Sequence, residues 1–390
     1  MTQRRFDLDW LRITAFALLI LYHCGMFYVT WDWHVKSSRA SDTIEPLMML
    51  TSPWRLSLLF LISGAATRFM ADKMTAGAFV TLRMLRLWPP LLLGVFVVVP
   101  PQSYYEVTEA LVAMGRPLSP VLDNFYVKYA TASGGWCDAD GCLTTPTYNH
   151  LWFVAYLILY TLALAALLPL LRRLPVRRLA WLLEGPGLFL TPWLFLVAAR
   201  LTLFPVWGET HDFREDWYLH TVYLAVFLLG FAIAKHEPFF EAAVRMRWAA
   251  LGIAVASWAA LITYFELTGD GTPPEWLRMT FRAVREAEAW GAILAAIGFF
   301  HRHFAAADGP IRRTLSQAIF PFYIIHQTII VVAGFYLDDL QLPLGAEAAL
   351  LIAATGLGCW LFYELGRRSG PLRSWFGLPA ASRVPARQPA

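Results

Sequence analysis

The sequence predicts an all-α integral membrane bundle of about ten transmembrane helices, with both termini in the cytoplasm. Three observations carry that expectation. Of the 390 residues, 58% are hydrophobic and only 15% are charged, whereas soluble domains carry about 25% charged residues. Mean hydropathy is +0.49, with apolar runs recurring from near the N-terminus almost to the C-terminus. Lys and Arg gather in alternate connecting segments. A soluble α/β enzyme, a disordered chain and a disulfide-stapled secreted module are excluded. Nucleic-acid binding fails too: net charge is only +4, and the basic residues mark one side of a membrane.

A helix needs about 20 mostly apolar residues to cross about 30 Å of hydrocarbon. In order, the windows are 10–30, 47–69, 84–101, 150–171, 187–206, 217–235, 247–266, 288–304, 315–336 and 346–366. The first follows Arg4-Arg5 and lacks a small-residue cleavage site, so it is read as a retained helix. The third opens on Arg83 and Arg86 and carries Pro89 and Pro90; the fifth contains Pro192 and Pro205; the eighth is short. Trp31, Trp33, Trp217 and Tyr218 sit at window ends, where a ring is half wet. The runs are continuous rather than alternating, which excludes a β-barrel.

Twenty-one basic residues fall on the side of Arg4 and Arg5 and eight on the other, which makes the former cytoplasmic. The expected organisation is a transmembrane domain over 1–366 and a disordered cytoplasmic tail over 367–390. Cys137 and Cys142 lie in the loop 102–149 outside the cytoplasm, where an oxidising compartment allows a small disulfide loop. Asp138-Ala139-Asp140-Gly141 between them is like the start of a calcium loop, but no bidentate Glu follows at the right spacing. No metal site is expected. Cys24 and Cys359 are small apolar packing residues.

Ionisable side chains inside a span are costly, so each is a functional candidate. Arg12 and His23 are eleven residues apart in the first window, about 20° apart around a helix and about 16 Å along it. Asp9, three positions before Arg12, is placed to pair with it. The plain alternative is a snorkelling Arg12 and a packed His23. His150 opens the fourth span, followed by Trp152, and His326 lies near the middle of the ninth. Arg83 and Arg86 suit phosphate oxygens, or simply anchor the helix on the cytoplasmic side. Three histidine-bearing spans leave haem ligation open, but no attachment motif accompanies them.

Asp9-Trp10-Leu11-Arg12 followed by His23 resembles the Arg-x10-His signature of the membrane acyltransferase 3 family. Phe60-Leu61-Ile62-Ser63-Gly64 is similar to its aromatic-Ser-Gly stretch, and Arg83-x-x-Arg86 with Pro89 to its basic start of the third span. Ser316 to His326 resembles its penultimate span. Within the family the closest likeness is to the glucan succinyltransferases, the glucans biosynthesis C proteins, through Trp33-His34-Val35-Lys36-Ser37, His150-Leu151-Trp152-Phe153 and Tyr363-Glu364. The loop 131–148 departs from that subgroup.

The resemblance implies an inner-membrane O-acyltransferase that uses cytoplasmic acyl-CoA as co-substrate, with no bound cofactor. The acceptor would be a hydroxyl of an extracytoplasmic carbohydrate such as a periplasmic glucan, and the acyl group succinyl or acetyl. His23 is then the catalytic residue, a general base or acyl carrier. Arg12, Arg83 and Arg86 bind the donor; Asp9, His150, Trp152 and His326 support the acceptor side. The rival class is a transporter in which Arg12 and His23 gate a solute or relay protons. It lacks the expected pair of Gly/Pro-broken spans in matching halves.

Overall fold

Each of the ten apolar windows overlaps a helix in the computed structural model, which describes residues 4–137, 141–171, 180–269 and 271–379. The helices are α1 (Phe6–Met26), α2 (Arg55–Ala71), α3 (Ala76–Ala113), α4 (Trp152–Leu171), α5 (Gly187–Trp207), α6 (Trp217–Ile233), α7 (Glu237–Thr268), α8 (Glu275–Phe304), α9 (Pro310–Asp338) and α10 (Leu344–Arg368). Among the described residues there is no strand, only an isolated bridge between Cys137 and Cys142.

Seven of these helices are long and apolar enough to cross a membrane: α1, α3, α4, α5, α7, α9 and α10. The other three fall short for visible reasons. Helices α2 and α6 have 17 residues each, and α8 carries Arg278, Arg282, Arg285, Glu286 and Glu288 in its first half.

Helix ends differ most from expectation where helical hydrogen bonding continues past the apolar run. Helix α3 does not stop at residue 101. It passes through a π-helical turn at Gly94–Val98 and continues to Ala113, which takes the first part of the expected loop 102–149. The segment after α10 also departs from the expected tail. Gly370–Phe376 forms a 3₁₀ helix, and Leu378 is buried against Ala318 and Tyr363. The basic pairs Arg172-Arg173 and Arg177-Arg178, the triplet Asp138-Ala139-Asp140 and residues 380–390 lie outside the described residues.

The chain divides into two compact units. The first comprises Met1–Gly25, Ser41–Thr81 and Ala155–Ser316; the second comprises Met26–Ala40, Leu82–Val154 and Gln317–Ala390. In the first, helices pack through glycines that let backbones touch. A Cβ on Gly64 would stand 1.9 Å from the Phe227 carbonyl oxygen, and one on Gly230 would stand 1.9 Å from that of Leu61. Gly64 in the aromatic-Ser-Gly stretch is therefore a contact point of α2 with α6. Gly291 and Gly298 do the same for α8 against Ala250 and Ala243 of α7.

Candidate functional site

In the first unit α1 is unbroken from Phe6 to Met26, so Arg12 and His23 share a face. Arg12 lines a cavity of about 320 Å³ with Arg4, Arg5, Asp9 and Lys73; Leu8, Ile62, Ala66 and Phe69 complete its walls. Four cations line it with one carboxylate. Asp9 pairs with Arg12 as the spacing suggests, but at 3.7 Å. Its other oxygen takes Arg312 at 2.5 Å and Arg4 at 2.9 Å. Arg12 also donates to the Ser316 carbonyl at 3.3 Å. Arg312 is buried and held again by Asp308 at 2.7 Å. The hydrogen-bonding guanidinium groups of Arg313 and Arg312 hold the Asp308 carboxyl well below the usual carboxylate range.

His23 is half-buried in the last turn of α1. The ring of Tyr22 beside it lies 3.3 Å from the Arg55 guanidinium carbon. Arg55 is 5% exposed and starts α2, where a cation meets the positive end of the helix dipole. Its Nε and Nη1 are buried without hydrogen-bond partners. No acidic side chain among the described residues forms an ion pair with it. A buried cation in that state favours an anion beside it.

A second ionic cluster joins α5, α8 and the 208–216 connection of the same unit. Arg200 pairs with Glu209, Arg285 reaches Glu209 at 3.5 Å, and Arg285 donates to Glu286 at 3.1 Å. Burial pushes the Glu209 carboxyl up, but Arg285 and Arg200 outweigh it and hold it below its ordinary value. Burial pushes His211 down, only partly opposed by Asp216 and Glu209.

The second unit holds a different constellation. The segment after α1 is tied down residue by residue. The Lys36 ammonium donates to the carbonyls of Met26 and Trp31 at 2.7 and 2.6 Å, and its backbone N–H to Glu109 at 3.0 Å. Val35 is fully buried, and the Ser37 hydroxyl donates to Asp338 at 3.2 Å. Between these anchors His34 is held on both ring nitrogens. Nδ1 meets Glu106 at 2.7 Å, and the Gln327 amide nitrogen lies 2.7 Å from Nε2. That network assigns the proton to Nδ1.

From Gln327 the chain of hydrogen bonds runs to Gln102 at 3.2 Å, then to Thr328 at 2.7 Å and the His150 Nδ1 at 3.4 Å. Nε2 of buried His150 donates to the Ile324 carbonyl at 3.0 Å. His326 packs perpendicular to it with ring centroids 5.1 Å apart, its Nδ1 on the Tyr323 carbonyl at 2.8 Å. Three of these ring nitrogens are committed to protein partners, so both histidines serve a polar core. Trp152 is half-buried at the start of α4. Arg83 is buried and Arg86 exposed. Among the described residues no group of three or more His, Cys, Asp or Glu side chains is able to hold a metal ion. The Cys137–Cys142 disulfide is formed.

With this geometry in view, comparison with protein families is decisive. The acyltransferase domain model matches residues 5–364. The chain belongs to the acyltransferase 3 family. Its coarse activity is therefore acyl transfer by a multi-pass membrane protein. No curated protein and no solved structure matches it.

Residues of this acyltransferase that pattern reading did not single out are Arg312, Glu106, Gln102 and Gln327. Glu106 and Gln102 stand past the expected end of the third window, so they read as loop. Arg312 counted only as a topology marker. His34 and Gln327 are 293 positions apart, a pairing no periodicity announces.

Proposed function

We propose that this acyltransferase moves an acyl group from cytoplasmic acyl-CoA to a hydroxyl of an extracytoplasmic carbohydrate. The observation that carries this reading is the cationic cavity at Arg12, with His23 on the same face of one unbroken helix. With both termini placed in the cytoplasm on the distribution of basic residues, the cavity receives the CoA phosphates. Arg4, Arg5, Arg12 and Lys73 supply donors to phosphate oxygens, where charge-assisted bonds are strong. Arg83 and Arg86 are the further donor-binding residues of this reading.

The pantetheine arm then runs along α1 and brings the thioester to His23, about 16 Å from Arg12. His23 takes the proton of the acceptor hydroxyl as its oxygen attacks the thioester carbonyl. The carbon–sulfur bond breaks, the CoA thiolate leaves, and it collects a proton. His150 and His326 support the acceptor side through the polar core, with Asp9 holding the donor side and Trp152 at the head of α4.

Succinyl is the acyl group favoured over acetyl, and a periplasmic glucan the favoured acceptor, at a bacterial inner membrane. Buried Arg55 beside Tyr22 supports the first choice, because a carboxylated acyl group supplies the anion that site lacks. A transporter reading has no comparable support from the family. The test is transfer of label from succinyl-CoA to a neutral β-glucan by the purified protein in nanodiscs. Ester-linked succinate on the glucan is expected. No transfer from either succinyl-CoA or acetyl-CoA would overturn the reading.

A further inference from the structure

The second unit contains a cavity of about 480 Å³, within the size range of small-ligand sites. Its walls come from the 32–36 segment, the end of α3 and the residues on either side of the disulfide, among them Trp136 and Leu143. We infer that this cavity is an acceptor subsite for a neutral polyhydroxyl ligand, an uncharged sugar unit, recognised by Trp33, Glu106 and the His34 that orients Glu106. The inference rests on the proposed acyl transfer to a carbohydrate and adds where the acceptor sits and what charge it carries.

Charge argues for a neutral ligand. Asp32, Glu106 and Glu109 line the cavity with Lys36 and Arg116. The Lys36 ammonium keeps its charge, but its donors are turned onto the Met26 and Trp31 carbonyls, so three carboxyl groups line the cavity against two cations. An anionic ligand would face an excess of carboxylates. Carboxylates only accept hydrogen bonds, about four each, so the complementary ligand is rich in O–H donors.

Preorganisation supports a binding role over a packing one. His34 fixes one Glu106 oxygen at 2.7 Å, and the Glu106 side chain keeps 32% exposure. Trp33 is half-exposed beside His34, ring centroids 5.6 Å apart, a flat apolar surface for the C–H face of a sugar ring. Trp136, another lining residue, is buried and stacked on Phe125 with ring centroids 4.7 Å apart. The disulfide at Cys137 and Cys142 holds the segment that carries it.

The test is binding of neutral β-glucan oligosaccharides, with oligogalacturonate as anionic control, to the full chain in nanodiscs by calorimetry. Binding of the neutral series and at least tenfold weaker binding of oligogalacturonate are expected. Trp33→Ala and Glu106→Gln should each weaken glucan binding at least tenfold, Trp33→Phe should restore most of it, and acyl-CoA affinity should not move. Wild-type protein that binds neither series, or prefers the anionic one, overturns the inference. Variants with unchanged glucan affinity also overturn it. If glucan binds and the variants lose it while labelled acyl-CoA gives no transfer, the subsite stands and the acyl-transfer reading falls. If transfer proceeds with an acceptor KM unmoved by Trp33→Ala and Glu106→Gln, the reverse holds.

Discussion

The two cavities differ in charge and in how they are built. The one at the N-terminal end of α1 is lined by Arg4, Arg5, Arg12 and Lys73 against Asp9, four of these five residues lying within nine positions of one another. The one in the second unit is lined by three carboxylates and tryptophan rings, on a segment held by contacts reaching dozens to hundreds of positions along the chain. A phosphate-rich donor suits the first and a neutral polyol the second.

The largest expected effect on this contrast comes from Arg12→Ala. Loss of charge-assisted bonds worth about 1.5–3 kcal/mol should weaken acyl-CoA binding roughly 10- to 100-fold. Calorimetry with glucan should meanwhile give an unchanged affinity. Equal losses for both ligands would break the division of labour.

Next comes Arg55→Leu. It should cut the preference for succinyl-CoA over acetyl-CoA about tenfold, the factor expected for one charge-assisted contact. Replacing a buried cation by an apolar side chain is often neutral or stabilising, so the melting temperature should hold or rise. A large fall in melting temperature with unaltered selectivity would make Arg55 structural.

The smallest effect is on pH dependence. His211 has a folded pKa below its unfolded value of 6.5, so its contribution to stability is complete above that value. It is lost as pH falls through the lower folded value, because the unfolded state then binds the proton more readily. Glu209 is also depressed and acts below its ordinary 4.5, so the two windows separate. His211 sits at φ 55°, a conformation Asn adopts readily. His211→Asn should therefore flatten the fall in melting temperature between pH 7 and 5; an unchanged slope would assign it elsewhere.

Much of this was legible in the sequence because bilayer-length apolar runs leave few alternatives to a helix. All ten windows overlap helices, and the Arg12–His23 stripe follows from helical period alone. The Cys137–Cys142 spacing allowed a small disulfide loop without deciding it, and the bond is formed. Helix ends were not legible: α3, α7 and α8 continue well beyond the apolar core, since backbone hydrogen bonding does not stop where the hydrophobic run does. That drift hid Gln102 and Glu106 in an assumed loop. The His34–Gln327–Gln102 network and the Arg312–Asp9 clamp depend on tertiary proximity that a one-dimensional pattern does not carry. Gly64 was visible as part of a motif, but only the approach of α2 to α6 explains it.

The central claim, that His23 carries the chemistry at the end of a donor path starting at Arg12, is tested most directly by His23→Ala. The variant should be purified in nanodiscs and its labelled acyl transfer from acyl-CoA to glucan followed beside the wild type. Removal of a general base or acyl carrier should lower the transfer rate at least about 10²-fold, with acyl-CoA affinity and melting temperature retained. Transfer within a few-fold of wild type would contradict the account.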